Sequence, residues 1–119
     1  MSWDEVARGW SRYWAPVALP AQRAIMAVAG VGPGTRVLDV GCGSGEFVAV
    51  LLEAGAQVAA CDPASGMVEL AQGMNPGADI RIASAEQLPW PDESFDLVAA
   101  VNVLAFAEHP LAEFARATT

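Results

Sequence analysis

The chain has 119 residues, a formal net charge of −8 and 54% hydrophobic side chains. This apolar content excludes a disordered chain, and the length allows one domain. An acidic surface repels phosphate groups, so neither nucleic acid nor an anionic membrane surface is an expected partner.

The amino-terminal part predicts two helices. The apolar residues of the first recur at helical spacing, and the second is predicted from Pro20 to Ala29, with proline in its first turn. No basic segment precedes an apolar run, so we expect no secretory signal. The two cysteines have neither disulfide nor zinc spacing, which favours a reducing, cytoplasmic location and no metal site.

From Arg36 onwards, predicted strands alternate with helices. In chain order the pattern predicts a strand at Arg36–Val40, a helix at Glu46–Ala54, a strand at Gln57–Cys61, a helix at Ser65–Gln72, strands at Asp79–Ala83 and Phe95–Val101, and a helix beginning at Pro110. This alternation predicts an α/β fold with a parallel sheet covered on both faces. The apolar stretches are too short to span a bilayer.

Three glycines, Gly41, Gly43 and Gly45, lie between the first strand and its helix. They allow a tight turn and a close approach to a ligand, and the following helix presents free N–H groups. A tight strand-to-helix turn without a ligand would also explain them. The spacing differs from the G-x-G-x-x-G of dinucleotide enzymes, because the residue at the third glycine position is Glu46.

The second predicted strand leads directly to Asp62, about twenty residues beyond the glycine turn. A carboxylate in this place can accept both ribose hydroxyls of a nucleoside. A carboxylate that caps the following helix is the alternative. The glycine turn at the matching distance favours the nucleoside interpretation.

The segment Val37-Leu38-Asp39-Val40-Gly41-Cys42-Gly43-Ser44-Gly45 resembles motif I of class I S-adenosylmethionine-dependent methyltransferases. The segment from Ser84 to Val98 resembles the adenine-covering part of the small-molecule group of that family, methyltransferase type 11-like. The resemblance implies a Rossmann-like doubly wound parallel sheet, S-adenosylmethionine as cofactor, S-adenosylhomocysteine as product and a small-molecule acceptor. A non-catalytic module that binds the same two compounds is the alternative.

The resemblance also implies which residues bind the cofactor. They are Asp39, Gly41, Cys42, Gly43, Gly45, Asp62, Pro63, Met67, Ser84, Ala85, Glu86, Asn102 and Tyr13. Asp39 would orient the ammonium group of the methionine tail. Ser84 stands where most members carry an acid, which puts that adenine contact in question.

Several of these residues have a second interpretation. Met67 packs on the adenine or in the helix core, and Tyr13 contacts the ligand or belongs to a core stripe of aromatic residues. Asn102 either hydrogen-bonds near the methyl group or ends its strand. His109, the only histidine, is a weak candidate for a general base and otherwise a surface or capping residue. Asp96 is expected to have a structural role.

By the same resemblance, residues 1–32 would form a helical lid and residues 33–119 the cofactor-binding core. The family fold continues beyond four strands, so we expect a shortened chain with its carboxyl-terminal strands missing and strand order 3-2-1-4. The strand Phe95–Val101 would then be an unpaired apolar edge, through which we expect association into a homo-oligomer.

Overall fold

Four parallel strands form one sheet in the computed structural model, which describes residues 23, 24, 26–100 and 115–119. The elements in chain order are β1 (Arg36–Val40), α1 (Glu46–Glu53), β2 (Gln57–Asp62), α2 (Ser65–Met74), β3 (Asp79–Ile82) and β4 (Leu97–Ala99). No helix within these described residues has the length and apolar character that crossing a membrane requires.

The strand order is β3-β2-β1-β4, as the sequence predicts. β1 pairs in parallel with β2 and with β4, so that Val40 lies opposite Cys61 and Asp39 opposite Ala99. β2 pairs in parallel with β3 and places Asp62 opposite Ile82. All carboxyl ends therefore meet at one edge of the sheet, where open α/β folds bind their ligands. The expected Rossmann-like α/β class is confirmed.

Side chains alternate between the two faces of the central strand, as the pleat of a strand requires. Val37 belongs to a core cluster on one face, with residues of α1 and α2. Leu38 and Val40 belong to a second cluster, which the loop after β3 and the carboxyl-terminal residues cover. Asp39 falls between Leu38 and Val40 and thus shares the face of Val37, beneath the two helices.

Element boundaries differ from the predictions by one or two residues. α2 continues through Gly73 to Met74, because its last turn is closed by the N–H of Asn75, which donates to the carbonyl of Ala71 at 2.9 Å. β2 extends to Asp62, so this acid is the last residue of the strand. The predicted helix from Pro20 to Ala29 is described at residues 23, 24 and 26–29, all of which are helical.

The start of β4 is held by an ion pair to β1. The carboxylate of Asp96 accepts the backbone N–H of Arg36 at 2.9 Å and its guanidinium at 2.9 Å. The hydrogen bonds and charge of Arg36 hold the pKa of Asp96 below its ordinary value. This confirms the structural role that the sequence predicts for Asp96.

The strand-four edge is not open along its whole predicted length. Phe95 donates its N–H to the carbonyl of Ala117 at 3.0 Å and accepts the N–H of Thr119 at 2.9 Å, which forms a parallel bridge to Thr118. The prediction of an unpaired edge that starts at Phe95 is therefore wrong at that residue. The reason is that the chain itself returns to this position after residues 115–117, a long-range contact that local patterns do not encode.

Arg116 fastens this returning segment to the loop that precedes β4. Its guanidinium donates to the carbonyl oxygens of Leu88 at 3.1 Å and Trp90 at 2.9 Å, and it pairs with Asp92 at 2.8 Å. Trp90 in turn packs edge-on against Phe95, with ring centroids 5.7 Å apart. One cation thus holds the loop against the second core cluster.

We expect Arg116→Ala to lower the free energy of unfolding by about 1–2 kcal/mol, because two carbonyl oxygens lose a charged donor. Chemical denaturation measures the effect. Asp92→Ala is the matched control: Asp92 is 74% exposed in its side chain, so the loss of its ion pair should cost less than about 0.5 kcal/mol. If the two variants lose the same free energy of unfolding, the carbonyl contacts of Arg116 contribute nothing beyond its ion pair and the prediction is wrong.

Candidate functional site

The turn between β1 and α1 has a backbone that only glycine adopts readily at three positions. Gly41, Gly43 and Gly45 have φ angles of 74°, 57° and 94°. The N–H groups of Gly41 and Cys42 both donate to the carbonyl of Cys61, at 2.8 and 3.0 Å. The turn is thereby anchored to the end of β2, and its shape depends on left-handed residues that side chains disfavour.

Gly45 also has a packing role. A Cβ atom at this position would lie 2.9 Å from the Cα of Ala71 and 2.7 Å from the side-chain nitrogen of Asn75. Only a glycine therefore allows the beginning of α1 to approach α2 this closely.

Ser44 lies directly before the N-cap residue of α1, Gly45. Ser44 is fully buried, and its hydroxyl donates to the carboxylate of Glu46, with an Oγ–Oε2 distance of 2.7 Å. Among the described residues, the backbone N–H of Ser44 has no hydrogen-bond acceptor. A buried donor at a helix N-terminus suits a negatively charged ligand group.

Asp62 faces the glycine turn from the end of β2. One carboxylate oxygen accepts the N–H of Gly43 at 3.1 Å, and the other accepts the N–H of Ala64 at 2.9 Å. Burial raises the pKa of Asp62, while these two N–H groups lower it. The contact with Ala64, immediately before α2, is the helix-end role that the sequence left open, and the contact with Gly43 places the same carboxylate against the turn.

Asp39 is a buried carboxyl group at the end of β1. It is 3% exposed, and no side-chain hydrogen bond reaches it from the described residues. Burial, with a smaller contribution from the negative charge of Asp62, raises the pKa of Asp39 to about 8. Burial therefore favours the protonated form of this group, and a cation placed beside it would favour its ionised form.

Both thiols are buried and unsuited to nucleophilic attack at neutral pH. Burial raises the pKa of Cys61 to about 12 and that of Cys42 still further. The Sγ of Cys42 is within 3.5 Å of the carbonyl of Gly43, which accepts its weak hydrogen bond. Cys42 and Cys61 thus contribute packing and backbone contacts to the site.

The remaining described candidates surround the end of β2. Met67 is buried with Ala64 in a small cluster separate from the two main cores. Ser84, Ala85 and Glu86 follow β3, which pairs with the end of β2, and the hydroxyl of Ser84 accepts the N–H of Glu86 at 3.3 Å. Pro63 is exposed directly after Asp62.

Three candidates lie outside the described residues. They are Tyr13, Asn102 and His109. Their predicted roles stay predictions.

Two buried polar residues at the glycine turn, one within it and one at the end of α2, were missed at the sequence level. Asn75 is 3% exposed, and its side chain donates to the carbonyl of Gly45 at 3.0 Å. In the sequence it stands in Asn75-Pro76-Gly77, which indicates only a turn. Ser44 lies within the motif I segment, and the sequence predicts no role for it. Its contact with Glu46 is local, two residues along the chain, whereas the contact of Asn75 with Gly45 spans thirty residues and depends on how α1 and α2 pack.

The electrostatics at the carboxyl ends of β1 and β2 favour a cation-bearing ligand over a pyrophosphate. The negative charge of Asp62 acts on Asp39, and among the described residues no arginine hydrogen-bonds to the glycine turn. Nor do the described His, Cys, Asp and Glu residues form a group that could hold a metal ion. Carboxylates, glycine backbone and a free helix-end donor fit a nucleoside that carries an amino-acid tail.

Comparisons with known proteins agree with this geometry. The pattern of the methyltransferase domain matches residues 38–118. The chain is 33% identical over 118 residues to a demethylmenaquinone methyltransferase of Renibacterium salmoninarum, covering 97% of this chain and 47% of the relative. The chain therefore belongs to the methyltransferase-domain family, as its resemblance to class I S-adenosylmethionine-dependent methyltransferases predicts.

Solved structures show the same fold. The YcgJ protein of Bacillus subtilis has a TM-score of 0.75 at 25% identity, over 82% of this chain and 45% of that one. A SAM-dependent methyltransferase from Aquifex aeolicus has a TM-score of 0.67 at 22% identity, over 82% of this chain and 58% of that one. The chain thus spans about half the length of the proteins it resembles.

The raised pKa of Asp39 predicts a pH-dependent stability. A carboxyl whose pKa is about 8 when folded and near 3.8 when unfolded binds more protons in the folded state between these values. Its stabilising contribution is complete at low pH and is lost as the pH rises toward about 8. We expect the free energy of unfolding to fall from about pH 5 to pH 8, and Asp39→Asn to flatten this slope.

Denaturation midpoints across this pH range measure the effect. Asp96→Asn is the matched control, because the pKa of Asp96 is lowered and its contribution is already constant above about pH 5. If the curves of the wild type and Asp39→Asn run parallel, Asp39 is ionised in the folded protein and the prediction is wrong.

Proposed function

We propose that this chain binds S-adenosylmethionine at the carboxyl edge of the sheet, beside the glycine turn and Asp62, and is part of an enzyme that transfers its methyl group to a small molecule. The observation that carries the proposal is the contact of the Asp62 carboxylate with the N–H of Gly43. It brings the glycine turn and an acid of the neighbouring strand together at the carboxyl edge of a parallel sheet.

Each part of the proposed ligand has a complementary group. The carboxylate of Asp62 accepts the two ribose hydroxyls, since its oxygens keep lone pairs beyond those used by Gly43 and Ala64. The ionised carboxylate of Asp39 balances the ammonium of the amino-acid tail. The free N–H of Ser44 suits the carboxylate of that tail.

The adenine would lie over the end of β2, among residues that follow β2 and β3. Met67 packs on the ring, and Ser84, Ala85 and Glu86 surround its edge. Pro63 shapes the rim, and Gly41 and Cys42 supply backbone to the opposite wall. We assign Tyr13 to a lid over the ligand and Asn102 to the neighbourhood of the methyl group.

Methyl transfer from this cofactor requires few catalytic groups of the protein. When bound, the sulfonium cofactor supplies an already activated methyl group. The residues of this chain then orient the ligand and exclude water, so that the acceptor atom approaches the methyl carbon in line. A general base is needed only where the acceptor loses a proton, and His109 is our candidate for it.

A small metabolite is the proposed acceptor class. The net charge of −8 disfavours nucleic acid, and the Renibacterium relative is named for a quinone-type small molecule. We place the protein in the cytoplasm, since the two cysteines are free and buried.

Calorimetric titration with S-adenosylhomocysteine tests the cofactor assignment. The wild type should bind it and show no heat with NAD. Asp62→Asn should weaken binding by roughly 10- to 100-fold, because a charged acceptor of two hydroxyls is lost. Glu69→Gln, which removes an exposed negative charge from α2, should leave the affinity unchanged. Equal affinities in all three proteins would refute the site.

Turnover separates the enzyme from the binding module. Methyl transfer to any small acceptor supports the enzyme. Retained affinity with no turnover on a broad acceptor panel favours the non-catalytic alternative.

We also propose that copies of this chain associate through β4. Among the described residues this strand pairs only with β1, and beyond the bridge at Phe95 no described residue pairs with its other edge. Light scattering at several protein concentrations should show a mass that rises from monomer to dimer. A constant monomer mass up to high concentration would exclude this association.

A further inference from the structure

The buried amide of Asn75 joins three parts of the fold. Its backbone N–H closes the last turn of α2 on Ala71 at 2.9 Å, and its backbone carbonyl accepts the N–H of Ala78 at 3.1 Å on the way to β3. Its side-chain nitrogen donates to the carbonyl of Gly45 at 3.0 Å and to that of Ala71 at 3.1 Å. The side chain thus links the end of α2 to the last residue of the glycine turn, thirty positions away in sequence.

α1 lacks a side-chain cap of its own. Gly45 stands at the N-cap position, where no side-chain hydrogen bond is made. The carbonyl of Gly45 accepts the first helical N–H, from Ala49 at 3.1 Å, and the Asn75 amide is its second donor. Glycine restricts its own backbone least. The hydrogen bond from the Asn75 side chain therefore helps to fix the peptide group that contains the carbonyl of Gly45.

The turn is consequently held at two points. Asp62 binds the N–H of Gly43, and Asn75 binds the carbonyl of Gly45. Between them lies Ser44, whose N–H has no acceptor among the described residues. The direction of that N–H depends on the peptide planes on either side of it.

We propose that Asn75 is a positioning residue, which fixes the Gly45 peptide and thereby aims the turn's amides at the amino-acid part of the cofactor. The inference rests on the proposed cofactor site. Asn75 itself is 97% removed from solvent beneath the turn and acts on the ligand only through Gly45. It contrasts with Asp62, which we assign to the ribose.

The test compares two ligands and two matched variants. S-adenosylhomocysteine carries the amino-acid tail, and adenosine lacks it. Asn75→Ala should weaken S-adenosylhomocysteine binding by roughly 3- to 10-fold and leave adenosine binding unchanged, as expected for the loss of a buried hydrogen bond at the tail alone. Gln72→Ala is the control: its side chain also ties the end of α2 to a backbone carbonyl, that of Ile80 at 2.9 Å, but does not touch the turn.

Amide hydrogen exchange in the free protein supplies a readout that needs no ligand. Asn75→Ala should speed exchange at Gly45 and Ala49 relative to both the wild type and Gln72→Ala. If Asn75→Ala does not fold, Asn75→Asp replaces it, since it keeps the shape but presents an acceptor to the Gly45 carbonyl at neutral pH.

The outcomes are distinguishable. Loss of tail-dependent affinity with faster exchange in the turn supports the positioning role. Equal weakening of both ligands, or exchange no faster than in Gln72→Ala, overturns it. A wild type that binds neither ligand refutes the proposed function, and the exchange comparison then decides alone whether Asn75 fixes the turn.

Discussion

The site depends on the two hydrogen bonds that the carboxylate of Asp62 accepts. It stands at the end of a buried strand and accepts N–H groups from both sides, from the glycine turn and from the start of α2. The backbone of Cys61, one residue earlier, receives two further N–H groups of the turn. The end of β2 therefore acts as a template that sets the shape of the neighbouring strand-to-helix connection. A ligand that replaces water here meets acceptors already in place.

This arrangement places two carboxyl groups close together in a buried environment. Burial raises the pKa of both Asp39 and Asp62, and the side chain of Asp39 has no hydrogen-bond partner among the described residues. Such a group destabilises the ionised folded state, which a structural role alone does not explain. A ligand with positive charge would stabilise the ionised carboxylates, whereas a pyrophosphate would bring further negative charge. The charge pattern is therefore complementary to the ligand class that we propose.

Local patterns were sufficient for most of the fold. β1 was predicted to the residue, because a β-branched apolar run ends at a glycine turn. The strand order follows from the family resemblance, and the close approach of Asp62 to the turn follows from parallel pairing of adjacent strands. What could not be predicted depends on packing between distant segments. Asn75 looks like a turn residue until α2 is placed against α1, and the bridge from Phe95 to Thr118 joins residues whose sequence gives no pairing signal.

The protonation state of Asp39 also could not be predicted from the sequence. Asp39 was expected to face an ammonium group, but its raised pKa arises from burial beneath two helices.

Backbone amide shifts of isotope-labelled protein during titration with S-adenosylhomocysteine are the most direct measurement of where the ligand lies. The shifts should concentrate at residues 41–45 and 62–64, with the largest change at the amide of Ser44. A saturating ligand that leaves these amides unmoved while shifting others would show that the edge of the sheet beside the turn and Asp62 is not the cofactor site.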